Sequence, residues 1–138
     1  MSPEVFKHLS EEEIIAAREF LRRIPEPRRI EFDVPLKVQE IKPTKKEEEG
    51  LARMWEYLTA KKIDMVIHYD EKIMIVEVKK KLSASAAGQL LLYKDLYVQQ
   101  YKPAKPIELW HIAIYSDPSV VPLLEKLGIK YWYMYAST

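Results

Sequence analysis

A chain of 138 residues is long enough for one domain with one real core and too short for two. Its 48% apolar and 31% charged residues are ordinary for a soluble globular protein, while the lack of cysteine excludes disulfides and thiolate metal sites, leaving oxygen or imidazole as metal ligands. The net charge of +1 argues against indiscriminate nucleic-acid binding; with no signal segment and no run of about 20 apolar residues, the expected setting is the cytoplasm, not a membrane.

Ser10-Glu11-Glu12-Glu13 has capping-box spacing and opens a helix. Ile14, Ala17, Leu21 and Ile24 form its apolar stripe, and Pro25 and Pro27 stop it. Residues 30–41 alternate apolar and polar, which predicts a strand wet on one face, with Pro35 placing it at an edge or a bulge. A second helix is expected over 45–60, burying Leu51, Met54, Trp55 and Leu58. Two strands follow at 62–69 and 72–79, joined by a turn at Asp70-Glu71; both are apolar on successive residues, as in strands covered on both faces. Ser83 or Ser85 starts a long helix to about Gln100, ended by Pro103. A strand over 107–115 leads to a short helix that Asp117-Pro118 should begin and Leu127-Gly128 should end, and a strand over 129–135 comes last. The expected fold is a single α/β domain, a central mixed β-sheet flanked by helices.

The charges are unevenly spread. Residues 61–105 carry nine basic and five acidic side chains, against 11 and 13 in residues 1–60. Within that basic segment, Asp64, Glu77 and Lys79 sit where a buried strand should carry no charge, at a cost of several kcal/mol unless something pairs with them. Side chains alternate along a strand, so Glu77 and Lys79 share a face with Ile75, and Asp64 shares one with Val66 and His68. A hairpin in the right register sets Asp64 beside Glu77. Two adjacent carboxylates repel unless a cation lies between them, and hard oxygen ligands favour Mg²⁺ or Mn²⁺. The main-chain carbonyl of Val78 is within reach as a neutral ligand. Such a metal polarises a phosphoryl oxygen and acidifies a bound water, while Lys79 can serve the water or the phosphate.

On these residues the chain resembles the PD-(D/E)XK nuclease superfamily. Asp64 matches the acid of the first strand, and Glu77-Val78-Lys79 the Glu-x-Lys of the next. Gln89 and Tyr93, four apart on one helix face, match the Gln-x-x-x-Tyr element of its RecB-like branch. The resemblance covers about residues 45–115. It implies a restriction-endonuclease-like core over 45–138, with residues 1–44 as an N-terminal helix and edge-strand extension. It also implies Mg²⁺- or Mn²⁺-dependent hydrolysis of nucleic acid, DNA in preference to RNA, with Asp64, Glu77, Lys79, Gln89 and Tyr93 as the catalytic set. Many members add a carboxylate from the helix ahead of the motif strands, for which Glu48 is the first choice and Glu47 the second. Relatives of this length commonly act as dimers or as subunits of larger complexes. The family often has Gly or Pro before the first acid; here Ile63 stands there.

Each residue also has a plainer reading. Asp64, Glu77 and Lys79 can form a buried ion cluster, or the last two a surface pair. Lys80 and Lys81 are either a solvated turn or a track for phosphates, and Gln89 and Tyr93 can be helix-surface residues. His68 is a neighbour of the site or only hydrogen-bonded, and His8 and His111 are expected to be only hydrogen-bonded. Tyr97, Tyr101, Trp110, Tyr131, Trp132, Tyr133 and Tyr135 are expected to pack in the core, with base stacking as the alternative. Besides a nuclease, the sequence therefore allows a non-cutting nucleic-acid-binding or assembly module.

Overall fold

The computed structural model describes residues 6–37 and 61–136. The expected helix over 45–60, and Glu47 and Glu48 with it, lie outside the described residues. The first helix, α1 (Glu11–Arg23), is closed at its start by a reciprocal pair of hydrogen bonds. Ser10 Oγ accepts from the Glu13 N–H at 3.2 Å, and Glu13 Oε1 accepts from the Ser10 N–H at 2.9 Å. A cap of this kind stabilises the helix by about 1 kcal/mol. Its buried face holds Ile14, Ala16, Ala17 and Phe20. Phe20, absent from the expected stripe, anchors that face against Trp110 and Trp132, with ring centroids 5.2 and 6.1 Å away. Ile24 has already left the helix with extended backbone, so it borders the face without being part of it.

Five strands follow: β1 (Arg29–Leu36), β2 (Lys61–His68), β3 (Ile73–Lys81), β4 (Ile107–Tyr115) and β5 (Lys130–Tyr135). Between β3 and β4 lies the helix α2 (Ala84–Tyr101), and between β4 and β5 the short helix α3 (Val121–Lys126). The strands form one mixed sheet in sequence order. Neighbours are antiparallel from β1 to β3 and parallel from β3 to β5. This is the single α/β domain with helix-flanked sheet that the sequence predicts. One face carries α1 over Met65, Ile67, Val76, Val78 and Ile112. The other carries α2 and α3 over Val66, Ile75, Leu109 and Ala113. Covered on both sides, β2 and β3 are buried for six consecutive residues each, which explains their unbroken apolar runs. Among the described residues no helix is long and apolar enough to cross a membrane.

Two local expectations need correction. The edge strand β1 does not keep one wet face. Asp33 adopts φ 50°, so Ile30 and Phe32 pack with α1 while Val34 and Leu36 pack on the α2 side. The left-handed residue turns the strand over without shifting its register, and Asp33 Oδ2 accepts from the Lys7 N–H at 3.2 Å. The second correction concerns Asp117, which does not cap a helix. Its carboxylate accepts from the N–H and hydroxyl of Ser119, closing a turn, and α3 starts only at Val121 with Pro122 in its first turn.

Candidate active site

The candidate site lies where β2 begins and β3 ends. The pairing of β2 with β3 reaches Met65 and Val76, and one residue further along each strand Asp64 and Glu77 meet through their side chains, on the face covered by α2. Both acids are inside the protein, 8% and 3% exposed. They hydrogen-bond each other, and Asp64 Oδ2 also accepts from the Val78 N–H at 2.8 Å. Glu77 Oε2 is buried with no hydrogen-bond partner.

Burial is the largest influence on both carboxyls and raises both pKa values. For Glu77 the hydrogen bond to Asp64 and the negative charge of Asp64 push the same way. For Asp64 the bonds to Glu77 and to the Val78 N–H pull back down. Without a cation, the pair therefore holds a proton. Lys79 is half-buried; its positive charge favours ionisation of both acids but does not offset their burial.

The helix α2 supplies the roof. Ser83 Oγ accepts from the Ala86 N–H at 3.1 Å and fixes where the helix starts. Tyr93 is buried and its hydroxyl faces the acids. Burial, the charges of Glu77 and Asp64, and a hydrogen bond to Glu77 all raise its pKa. One turn earlier, Gln89 has a buried Oε1 without a partner. Neither residue has a helix-surface environment.

The structure thus brings Asp64, Glu77, Lys79 and Tyr93 together, with Gln89 one turn away. It separates others. His68 lies at the far end of β2, four residues from Asp64, where its Nε2 meets Glu31 Oε1 at 2.6 Å. Lys80 and Lys81 are exposed residues of β3 itself, not of a turn, and lie 3.6 Å from Glu12 and 3.9 Å from Asp117 respectively. His8 meets the Lys62 ammonium at 3.1 Å.

Two contributors escape a reading of the sequence. Glu13, the capping residue of α1, adds a negative charge that raises the pKa of both Asp64 and Glu77. Its capping-box position is visible in the sequence, but its proximity to an acid 51 residues later is not. His111, opposite Glu77 on β4, is completely buried. Its Nε2 accepts from the Ser83 N–H at 3.0 Å, which assigns the proton to Nδ1, where it is donated to the Glu77 carbonyl at 3.3 Å. Burial pushes its pKa down to about 4, so it is neutral and ties the start of α2 to the strand that carries Glu77.

Among the described residues no group of three or more His, Asp or Glu side chains converges. The paired acids still fit a hard divalent cation, because they set carboxyl oxygens side by side, with one oxygen unpartnered. Fold and site together define an α/β domain with two carboxylates and a lysine at one end of a mixed sheet.

No protein family and no curated protein matches this chain. One solved structure, described as "Structure of EndoMS-dsDNA2 complex", is similar over 96% of this chain and 49% of its own, with a TM-score of 0.48 and 16% identity. The present chain spans about half the length of that one. The chemistry of the site is argued from its own residues.

Proposed function

We propose that this protein is a metal-dependent nuclease that hydrolyses DNA phosphodiester bonds with a metal-activated water. The observation that carries this reading is the buried pair Asp64–Glu77, acid facing acid, with Glu77 Oε2 unpartnered and Lys79 beside it. Such an arrangement costs several kcal/mol in a sheet interior and is relieved by a bound divalent cation. Asp64 and Glu77 would hold Mg²⁺ or Mn²⁺, with the Val78 carbonyl as a neutral ligand. Glu48 or Glu47, both outside the described residues, would supply a third carboxylate. When bound, the cation supplies Lewis-acid polarisation of the phosphate and an acidified water.

The chain's own residues do the rest. To hold the cation, the Asp64–Glu77 pair would release its proton to solvent. Tyr93 donates its hydroxyl to Glu77 and keeps that carboxylate aimed at the ion. Lys79 orients the attacking water and neutralises charge on the phosphate as it becomes five-coordinate. Gln89 presents a buried acceptor one turn away, and Lys80 and Lys81 bind flanking phosphates.

The test is digestion of supercoiled and single-stranded DNA with Mn²⁺, using wild type and Glu77→Ala. Cleavage that requires both Mn²⁺ and Glu77 is the expected result. Identical background from the two proteins would remove catalysis, and persistent DNA binding in EDTA would then point to a non-cutting module.

A further inference from the structure

The nine tyrosines do not share one environment. Tyr93 and Tyr97 are buried, and Tyr131 and Tyr133 pack against the core. Tyr101, Tyr115 and Tyr135 are exposed, at 44%, 40% and 56%, and of these Tyr115 and Tyr135 pair with each other. They occupy the last paired positions of β4 and β5, directly opposite one another, with ring centroids 6.0 Å apart and planes at 39°. The row continues onto β3, where Lys81 is the partner of Tyr115. Two residues back along the same strands lies the row Lys79–Ala113–Tyr133, and two further back Glu77–His111–Tyr131. Each step is about 7 Å along a strand. The tyrosine pair thus begins one row beyond Lys79, on the same sheet face.

The pair is rigidly mounted. The Tyr115 carbonyl accepts from the Leu82 N–H and the Tyr135 carbonyl from the Ser116 N–H, both at 3.0 Å. Behind the pair, on the α1 face, a cleft of about 370 Å³ is lined by Ile15, Ile114, Met134, Lys80 and Glu12, so Lys80 belongs to that face. On their own face the exposed rings have the ammonium group of Lys81 in their row. Lys81 has a carboxylate neighbour, Asp117, but at 3.9 Å with both side chains partly open to water. Exposed pairs of that kind are weak, so the lysine head is free to exchange a carboxylate for a phosphate.

We infer that Tyr115 and Tyr135 form a base-stacking platform for an unpaired DNA strand, with Lys81 on its phosphates. Inside a duplex, base faces are covered by neighbouring bases, and aromatic side chains gain them only where a strand is open. The platform carries two ring faces with a cation beside them, the combination that binds single strands with little regard to sequence. This rests on the hydrolytic reading in setting a strand across this end of the sheet, and it adds that the substrate is open on the β4–β5 side of the cut.

The experiment is fluorescence anisotropy in EDTA, so that cutting cannot intervene. It uses a labelled single-stranded DNA oligonucleotide, the matching duplex, wild type, the double variant Tyr115→Ala/Tyr135→Ala and its Phe counterpart. Stacking of one base accounts for roughly tenfold in affinity. The alanine variant is expected to weaken single-strand binding about tenfold or more, the phenylalanine variant to bind like wild type, and duplex binding to stay unchanged. Tyr135→Ala alone, at the more exposed ring, gives the same direction of change should the double variant fold poorly. The inference is overturned by a wild type that does not bind the strand, by alanine variants that bind it as well as wild type, or by an equal loss for duplex. The two readings separate cleanly: a protein that binds through the tyrosines but never cuts refutes only hydrolysis, and one that cuts while ignoring the tyrosines refutes only the platform.

Discussion

Two glutamates on neighbouring strands of this sheet receive opposite treatment. Near the start of β4, Glu108 accepts from Trp110 Nε1 at 2.6 Å, Lys130 at 3.0 Å and Lys72 at 3.3 Å. Burial works to raise its pKa, but these donors overcome burial and hold it below the ordinary value. Toward the end of β3, Glu77 faces Asp64 and keeps an oxygen with no partner, and its pKa is raised. Where the fold uses a carboxylate for structure, it supplies the counter-charges from its own chain. At Glu77 the chain leaves the acid under-compensated, an arrangement that the proposed cation would relieve.

The sharpest way to break this contrast is to neutralise each glutamate in turn. Glu77→Gln is expected to lower DNA cleavage by about 10³-fold, since several kcal/mol of transition-state stabilisation depend on the cation it holds. It should leave the metal-free protein as stable as wild type or more so, because it removes a carboxyl that burial disfavours. Glu108→Gln should do the reverse, costing about 1–3 kcal/mol in urea unfolding while cleavage is retained. Parallel losses in both assays for both variants would show that the two sites are not different in kind.

pH separates the same regions through folding. His111 is held neutral with its pKa lowered from 6.5 to about 4, so its stabilising contribution is complete above 6.5 and is lost as pH falls toward 4. The loss amounts to about 3 kcal/mol, and His111→Gln should remove this part of the acid slope. Glu77 has the opposite sign. Its raised pKa stabilises the fold below the ordinary glutamate value of 4.5, and that stabilisation fades as pH rises through the native value. Melting temperatures from pH 4 to 9 test both limbs. Mn²⁺ at 100 times its dissociation constant should add about 2.7 kcal/mol, and affinity should rise with pH because the ion displaces the proton of the Asp64–Glu77 pair. A melting temperature indifferent to Mn²⁺ across that range would remove the cation from the account.

What the sequence disclosed and what it withheld follow from the range of the forces involved. Charges inside apolar runs announced Asp64, Glu77 and Lys79, and a four-residue helical spacing announced Gln89 and Tyr93. All of these are local patterns. The described strands along the chain, the meeting of Asp64 with Glu77 and the cover on both faces also matched expectation, because consecutive strands usually pair. The face switch at Asp33 did not, since nothing in the alternation of residues 30–36 encodes a positive φ. Asp117-Pro118 looked like a helix start because an Asx turn and an N-cap use the same side chain. Tyr115 drew no notice, since a tyrosine ending an apolar strand is ordinary until its neighbour on β5 is known. Glu13 is the instructive case: its local role was legible and complete, which left no reason to seek a second.

That double role can be taken apart by a pair of small changes. Ser10→Ala deletes the hydroxyl that accepts from the Glu13 N–H but leaves the Glu13 charge in place. Glu13→Gln removes the charge but retains an oxygen able to accept from the Ser10 N–H, since glutamine serves in a capping box. If Glu13 matters to the acids through its charge, Glu13→Gln lowers Mn²⁺ affinity by about tenfold, the scale of an outer-sphere loss, with little change in helix stability. Ser10→Ala costs about 1 kcal/mol in unfolding and leaves Mn²⁺ affinity as it was. Isothermal titration and urea unfolding on the same two proteins read both quantities. Loss of affinity in both variants would mean that Glu13 acts on the site only by fixing where α1 begins, and its charge would drop out as an influence on the ion.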